Sequence, residues 1–316
     1  MASPGSNQRK IVTEFPGTIR VYDDGTVERL RDTDFVPPSI SGSGVSSKDV
    51  VINSNFSARL YLPPHCHRKL PLLLYFHGGA FCISSPFCGK YHRYVSRLAA
   101  EAQVVVVSFA YRLAPEHPIP AAYDDARAGI RWAVSHRAGN GPEPWLNDHV
   151  DFNRVLLSGE SAGGNIVHNL AMAVGDPEFG LGVGLSGIAM VCPYFSGSKP
   201  IESEVIHRRP GGGNMWAFVC PSSPDNDDPR INPVGPNAPS LTGLGCKRVM
   251  VIVASEDGLR DRGRLYYEGV EKSGWKGAAQ FLEIEGEGHC FHLYNLESEK
   301  AGILIKRLVA FFNGKS

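Results

Sequence analysis

The stretch Leu157-Ser158-Gly159-Glu160-Ser161-Ala162-Gly163-Gly164-Asn165 joins two segments of different periodicity. Ahead of it, Val155-Leu156-Leu157 is a short apolar run of the kind a buried strand carries. Behind it, Asn165 to Val174 has apolar residues at helical spacing and stops at Gly175-Asp176-Pro177. A serine between them, flanked by Gly159 and Gly163, has the form of a G-x-S-x-G elbow, in which small neighbours permit a sharp strand-to-helix turn and expose the hydroxyl above a sheet. Ser161 is therefore read as a nucleophile, against the plainer alternative of a tight turn holding a passive serine.

The same alternation extends in both directions. Pro71 to Phe76 and Val104 to Phe109 are continuous apolar runs, the pattern of strands covered on both faces in a parallel sheet. Helical spacing follows each, over Tyr91 to Ala102 and Ala121 to Ser135. After the elbow come strands at Ile188 to Cys192, Arg248 to Val253 and Ala279 to Ile284, with helices from about Arg262 to Ser273 and Glu297 to Phe312. Strands alternating with helices imply βαβ units and an α/β, mostly parallel, doubly wound sheet. Val50 to Ile52 and Ala58 to Leu62 are expected at its antiparallel edge.

Two segments break the pattern. Residues 1–47 are rich in Gly, Pro, Ser and charge, with one hairpin expected over Ile19 to Leu30, turning at Asp24-Gly25. This segment reads as a flap adding little to the core. Phe195 to Gly245 is a long, proline-rich, irregular insertion, and such insertions in α/β patterns are more often functional than accidental. One domain spanning 1–316 is expected, with a cap made from 1–47 and 195–245.

Composition narrows the chemistry. Lys plus Arg equals Asp plus Glu at 32 each, and no block of like charge suggests a nucleic-acid partner, so small neutral substrates fit better. The seven cysteines are scattered without a C-x-x-C pair, which points to a reducing compartment. The stretch from Met1 to Arg20 is polar and interrupted by Pro4 and Pro16, resembling neither a signal peptide nor a membrane span. A soluble cytoplasmic protein, monomeric or weakly dimeric, is the expectation.

A serine hydroxyl attacks only when a base takes its proton, so Ser161 needs a base, a group to orient that base, and donors for an oxyanion. On elbows of this kind the order is serine, acid, histidine, with both partners after late strands. Asp257 follows Val253-Ala254-Ser255-Glu256, and His289 follows Ile284-Glu285-Gly286-Glu287-Gly288. His289 is read as the base and Asp257 as its orienter, with Glu256 and Asp261 as competitors assigned to loop and helix ends. His77-Gly78-Gly79-Ala80-Phe81 directly follows a strand, and consecutive glycines let backbone N–H groups point into a cavity. Gly78 and Gly79, with Ala162 after the nucleophile, are expected to form the oxyanion hole. His77 reads as a hydrogen-bonding anchor for that loop.

With these residues in view, the chain resembles the plant carboxylesterases of the hormone-sensitive-lipase-like branch of the α/β hydrolases. The resemblance spans nearly the whole chain through Tyr111-Arg112-Leu113-Ala114-Pro115-Glu116-His117, Pro120-Ala121-Ala122-Tyr123-Asp124-Asp125, Gly159 to Asn165, and Asp257-Gly258-Leu259-Arg260-Asp261. Within that branch it is similar to legume 2-hydroxyisoflavanone dehydratases through His77 to Cys82, Gly197-Ser198-Lys199-Pro200 and Lys272 to Gly277. The resemblance implies an α/β-hydrolase fold and hydrolysis of small esters through an acyl-enzyme, without a cofactor. A dehydratase or cyclase using the same site is the second reading, and a small-molecule receptor the third. Ala80 stands where the family usually has a third glycine. Ser161 stands where dehydratases often carry threonine, which favours hydrolysis, and His289 stands where the related gibberellin receptors lack a histidine.

No metal is expected. His65-Cys66-His67 lacks a second ligand cluster, Asp225-Asn226-Asp227-Asp228 lacks the glycine and terminal glutamate of a calcium loop, and Gly211-Gly212-Gly213 lacks the Lys-Ser/Thr of a phosphate cradle.

Overall fold

A computed structural model describes residues 9–42, 44–64, 66, 68–207 and 214–315. The N-terminal segment forms a three-stranded antiparallel sheet from β1 (Ile11–Phe15), β2 (Ile19–Tyr22) and β3 (Val27–Arg29). The turn between β2 and β3 lies at Asp24-Gly25, where Gly25 takes φ 83° and the Asp24 carboxylate accepts from Thr26 N–H at 2.8 Å. Contrary to the expectation of a flap adding little to the core, Ile19 is fully buried and Phe15 nearly so, while Ile11 and Val12 of the same small sheet stay exposed.

The main sheet begins with β4 (Ser46–Val51), β5 (Ser57–Leu62) and β6 (Leu70–Phe76), followed by α1 (Gly89–Ala102), β7 (Val105–Ala110), α2 (Ala121–Val134) and the short α3 (Pro144–His149). It continues through β8 (Val150–Glu160), α4 (Ala162–Gly175), β9 (Leu185–Val191) and two short insertion helices, α5 (Glu202–Ile206) and α6 (Met215–Val219). The chain closes with β10 (Arg248–Ala254), α7 (Arg260–Lys272), β11 (Ala278–Ile284) and α8 (Glu299–Phe312). The eight strands lie in the order β11-β10-β9-β8-β6-β7-β5-β4, parallel except where β5 meets β7 and β4.

Every residue of β6 is buried, since successive side chains feed opposite faces. Leu72, Leu74 and Phe76 pack in one layer with Ala126 and Ile130 of α2, Ile166 of α4 and Tyr266 of α7. Leu73 and Tyr75 pack in the other with Leu98 of α1 and Leu304 of α8. Each such large apolar side chain stabilises the fold by about 1.5–3 kcal/mol relative to exposure. Two strands extend beyond their apolar runs. β8 starts at Val150, which pairs with Leu70, and β4 starts at Ser46, opposite Leu62. Backbone pairing needs no apolar side chain, so polar residues at a strand's end hide its true start.

Helix caps come from both near and far. Ser298 accepts from Ala301 N–H at the start of α8. α1 has no local side-chain cap, and Asp34 from the N-terminal segment accepts from Gly89 N–H at 2.8 Å instead.

Candidate active site

Ser161 is the single residue between β8 and α4, and it takes φ 53° and ψ −119°, a region that L-residues rarely occupy. The sequence permits this turn because its neighbours are small. A Cβ on Gly163 would stand 1.9 Å from the Phe76 carbonyl oxygen, and one on Gly159 would stand 2.6 Å from the same atom. The strain is held by backbone bonds on both sides, with Ser161 N–H donating to Val191 and Tyr194 N–H donating to Ser161.

Loops after two further strands converge on this serine. His289, after β11, places Nε2 2.9 Å from Ser161 Oγ. Its Nδ1 lies 2.7 Å from Asp257 Oδ2, after β10, and Asp257 Oδ1 accepts from Leu259 N–H at 3.0 Å. Burial alone would lower the His289 pKa, but the charge and hydrogen bond of Asp257 outweigh it and raise the value above that of ordinary imidazole. Burial would likewise raise Asp257, and the same histidine brings it down. The competing acids lie elsewhere: Glu256 is exposed, and Asp261 is engaged by Arg260 and Ser203.

The loop after β6 departs from expectation by one residue. The N–H of Gly78 is taken, donating to Glu160 Oε1 at 2.6 Å and to the Tyr91 hydroxyl at 2.9 Å. An N–H satisfied by a buried carboxylate is unavailable to a substrate oxygen, which corrects the reading of Gly78 as an oxyanion donor. The N–H groups of Gly79, Ala80 and Ala162, by contrast, donate to no acceptor among the described residues. Gly79 at φ 112° and Ala80 at φ 52° give the loop its curl.

Glu160, not singled out from the sequence although it lies inside the decisive stretch, holds this loop. Fully buried, it accepts from Gly78 N–H and, through its other oxygen, from the Tyr75 hydroxyl, and burial raises its pKa. His77 is also buried, stacked on Tyr111 at 4.3 Å, with Nδ1 2.6 Å from the Gly78 carbonyl. That acceptor requires the proton on Nδ1, and burial pushes the pKa down to about 4, so His77 is a neutral anchor.

Ser161 and His289 open onto a cavity of about 330 Å³, lined also by Thr18, Arg31 and Asp32 of the N-terminal segment and by Met215 of the insertion. Inside it, Asp32 accepts from Lys90 at 2.7 Å and from Ser84 at 2.6 Å. These residues lie far apart in sequence, and nothing in their local pattern marks them. A larger cleft of about 530 Å³ runs past Lys199, Arg262 and Lys272, but neither histidine nor cysteine lines it. His65, His67 and Gly211 to Gly213 lie outside the described residues. The Asp225 to Asp228 stretch is a turn, with Asp228 paired to Arg230 and Asp227 bonded to Ser198.

A family model described as the alpha/beta hydrolase fold matches residues 73–293, from β6 to the loop beyond His289. The chain belongs to that family. This α/β hydrolase is 46% identical to a 2-hydroxyisoflavanone dehydratase of Glycyrrhiza echinata, covering 98% of this chain and 99% of the relative. It is 44% identical to the chloroplastic tuliposide A-converting enzyme 1 of Tulipa gesneriana, covering 99% of this chain and 81% of the relative. Among solved structures, the metagenomic carboxylesterase EstE1 matches at 25% identity and a TM-score of 0.72, over 88% of this chain and 92% of that one.

The expected hydrolase fold is thereby shown, and so is the likeness to plant 2-hydroxyisoflavanone dehydratases. The cytoplasmic expectation is corrected, since the tulip relatives are chloroplastic or amyloplastic enzymes. The physical signals behind that expectation, reduced cysteines and a polar N-terminal stretch, do not distinguish the cytoplasm from a plastid. Among the described residues, no helix is long and apolar enough to cross a membrane.

Proposed function

We propose that this α/β hydrolase cleaves small carboxylic esters through an acyl-enzyme formed on Ser161. The observation that carries this reading is the line Ser161 Oγ, His289, Asp257, with consecutive separations of 2.9 and 2.7 Å. His289 takes the Ser161 proton as Oγ bonds to the acyl carbon, and Asp257 holds the imidazole with its proton on Nδ1. The carbonyl oxygen becomes an oxyanion that accepts from the free N–H groups of Gly79, Ala80 and Ala162. His289 then gives its proton to the departing alcohol, and a water molecule, deprotonated by the same histidine, releases the acid and restores Ser161.

In this reading, the N-terminal segment and the insertion form a cap over the site. Support comes from the cavity wall, to which Thr18, Arg31, Asp32 and Met215 contribute, and from the contact of Phe15 with Phe218, ring centroids 5.0 Å apart. Arg29 ties the cap to the main body by donating to the carbonyls of Cys82 and Ala114 and pairing with Glu116. The substrate enters as a neutral small molecule that displaces water from this partly apolar cavity.

A second reading is favoured by one observation, the 46% and 44% identity to two 2-hydroxyisoflavanone dehydratases over nearly the whole chain. In that reading His289 removes a proton beside a carbonyl and the same N–H groups hold the carbonyl oxygen. Purified protein assayed against a panel of aryl and alkyl esters and against a 2-hydroxyisoflavanone separates the two. Dehydration far faster than any ester cleavage overturns the hydrolytic reading.

A further inference from the structure

We infer that the Cys192 and Cys290 thiols and the His289 imidazole together form a binding site for a soft divalent cation of the zinc class, and that occupation switches the enzyme off. Cys192 is the first residue after β9, and Cys290 directly follows His289 in the loop after β11. One ligand atom from each of the three side chains lies within 4.8 Å of the other two. Among the described residues, no other three His, Cys, Asp or Glu side chains converge in this way. Both cysteines are free thiols and nearly fully buried, and Cys290 lines the cavity that holds Ser161, which gives an ion its route in.

The donor set selects the metal. Two sulfurs and an imidazole nitrogen suit zinc, cadmium or cobalt in tetrahedral geometry, whereas magnesium and calcium require oxygen ligands. Zinc–sulfur bonds of about 2.3 Å and zinc–nitrogen bonds of about 2.0 Å place tetrahedral ligands somewhat under 4 Å apart. The side chains therefore need only a small inward movement. Charge also balances: the ion binds as two thiol protons leave to solvent, and a divalent cation with two thiolates and a neutral imidazole is neutral overall. A buried site tolerates that composition.

Binding consumes the lone pair on His289 that catalysis needs. If the ion takes Nε2, that nitrogen no longer accepts the Ser161 proton. If it takes Nδ1, the bond to Asp257 breaks and the ring proton moves to Nε2, which blocks the same step. Only the activity readout of this inference rests on the hydrolytic reading.

The test uses the full chain, freed of metal by chelation and kept under argon. One equivalent of cobalt(II) is expected to give a near-ultraviolet thiolate-to-cobalt charge-transfer band and visible bands of a four-coordinate ion, a neutral water joining the three side chains as fourth ligand. Zinc should bleach both, ester hydrolysis should fall in proportion to the sites filled, and chelator should restore it. Magnesium and calcium should do neither. Cys192→Ser and Cys290→Ser should each weaken cobalt binding by at least about tenfold. Cobalt bands identical in both variants, or no charge-transfer band in the parent protein, overturn the site. Should either variant fail to fold, alkylation of the parent protein decides: zinc should protect Cys192 and Cys290 and leave Cys66 unaffected, and equal labelling with and without zinc overturns the site. A cobalt spectrum from a protein that cleaves no ester sinks the hydrolytic reading and leaves the site standing. Hydrolysis without the spectrum does the reverse.

Discussion

The Glu160 carboxylate, one residue before Ser161, accepts the N–H of Gly78 at 2.6 Å and so fastens the loop after β6 to the end of β8. Ser161 and the free N–H groups of Gly79 and Ala80 are thereby held by one buried connection, and its two carboxylate oxygens have separate duties. Glu160→Gln keeps the shape but removes the charge and turns one acceptor oxygen into an NH2 donor, so Gly78 N–H and the Tyr75 hydroxyl can no longer each donate to an oxygen of their own. Hydrolysis should lose about 10²-fold in kcat, with KM little changed, because the misplaced donors act on the transition state more than on the bound ester. An unchanged kcat in steady-state assays would show that the loop holds its position without this carboxylate.

Ser161→Ala should lower hydrolysis by about 10⁴-fold or more, since no other group in the site replaces the attacking oxygen. Circular dichroism should remain that of the parent protein. Mass spectrometry after treatment with an organophosphate should find the adduct on Ser161, and an adduct on any other residue contradicts its role.

The pH profile tests Asp257. Hydrolysis needs neutral His289, and Asp257 raises the pKa of that imidazole, so activity should climb with pH through a limb lying above the ordinary value of about 6.5. Asp257→Asn removes the raising charge and leaves burial, which lowers the pKa, so the limb should move to lower pH. The plateau should fall about 10⁴-fold, because the imidazole no longer holds its proton on Nδ1. A limb that stays in place would exclude Asp257 as the residue that sets it.

Deletion of residues 1–34 should abolish most hydrolysis and alter the order of preference among esters, since Thr18, Arg31 and Asp32 leave the cavity wall. Stability should fall as well, by roughly 1.5–3 kcal/mol for each of the two buried side chains Phe15 and Ile19. Thermal unfolding and an ester panel check the two effects separately, and unaltered kinetics would remove the cap from the proposal.

Ser161→Thr discriminates hydrolysis from elimination. The added methyl crowds attack on an acyl carbon at a residue whose φ is already 53°, so ester cleavage should drop by about 10²-fold or more. Proton removal by His289 needs no attack from Ser161, so any 2-hydroxyisoflavanone dehydration should persist or rise. Equal losses of both activities would mean that they share the covalent step.

Most of this architecture is legible in local pattern. The apolar runs of β6, β7 and β10 mark buried parallel strands, Gly159 and Gly163 mark a turn that only small residues permit, and the order of Ser161, Asp257 and His289 along the chain matches the order in which the strand ends present them. These signals survive in one dimension because each depends on a side chain's own size or its immediate neighbours.

Tertiary structure decided what depends on contacts between distant segments. Gly78 reads as an open donor until Glu160, 82 positions away, is seen to accept its proton. Residues 1–47 read as adding little to the core because polarity is an average, whereas burial depends on which few side chains face inward, here Phe15 and Ile19. Asp32 meets Lys90, and Cys192 meets Cys290, only because the fold gathers the loops at the carboxyl ends of the strands. Sequence spacing carries no trace of such meetings: backbone geometry couples a residue to its near neighbours, while the sheet order that joins remote loops is set by the packing of the whole core.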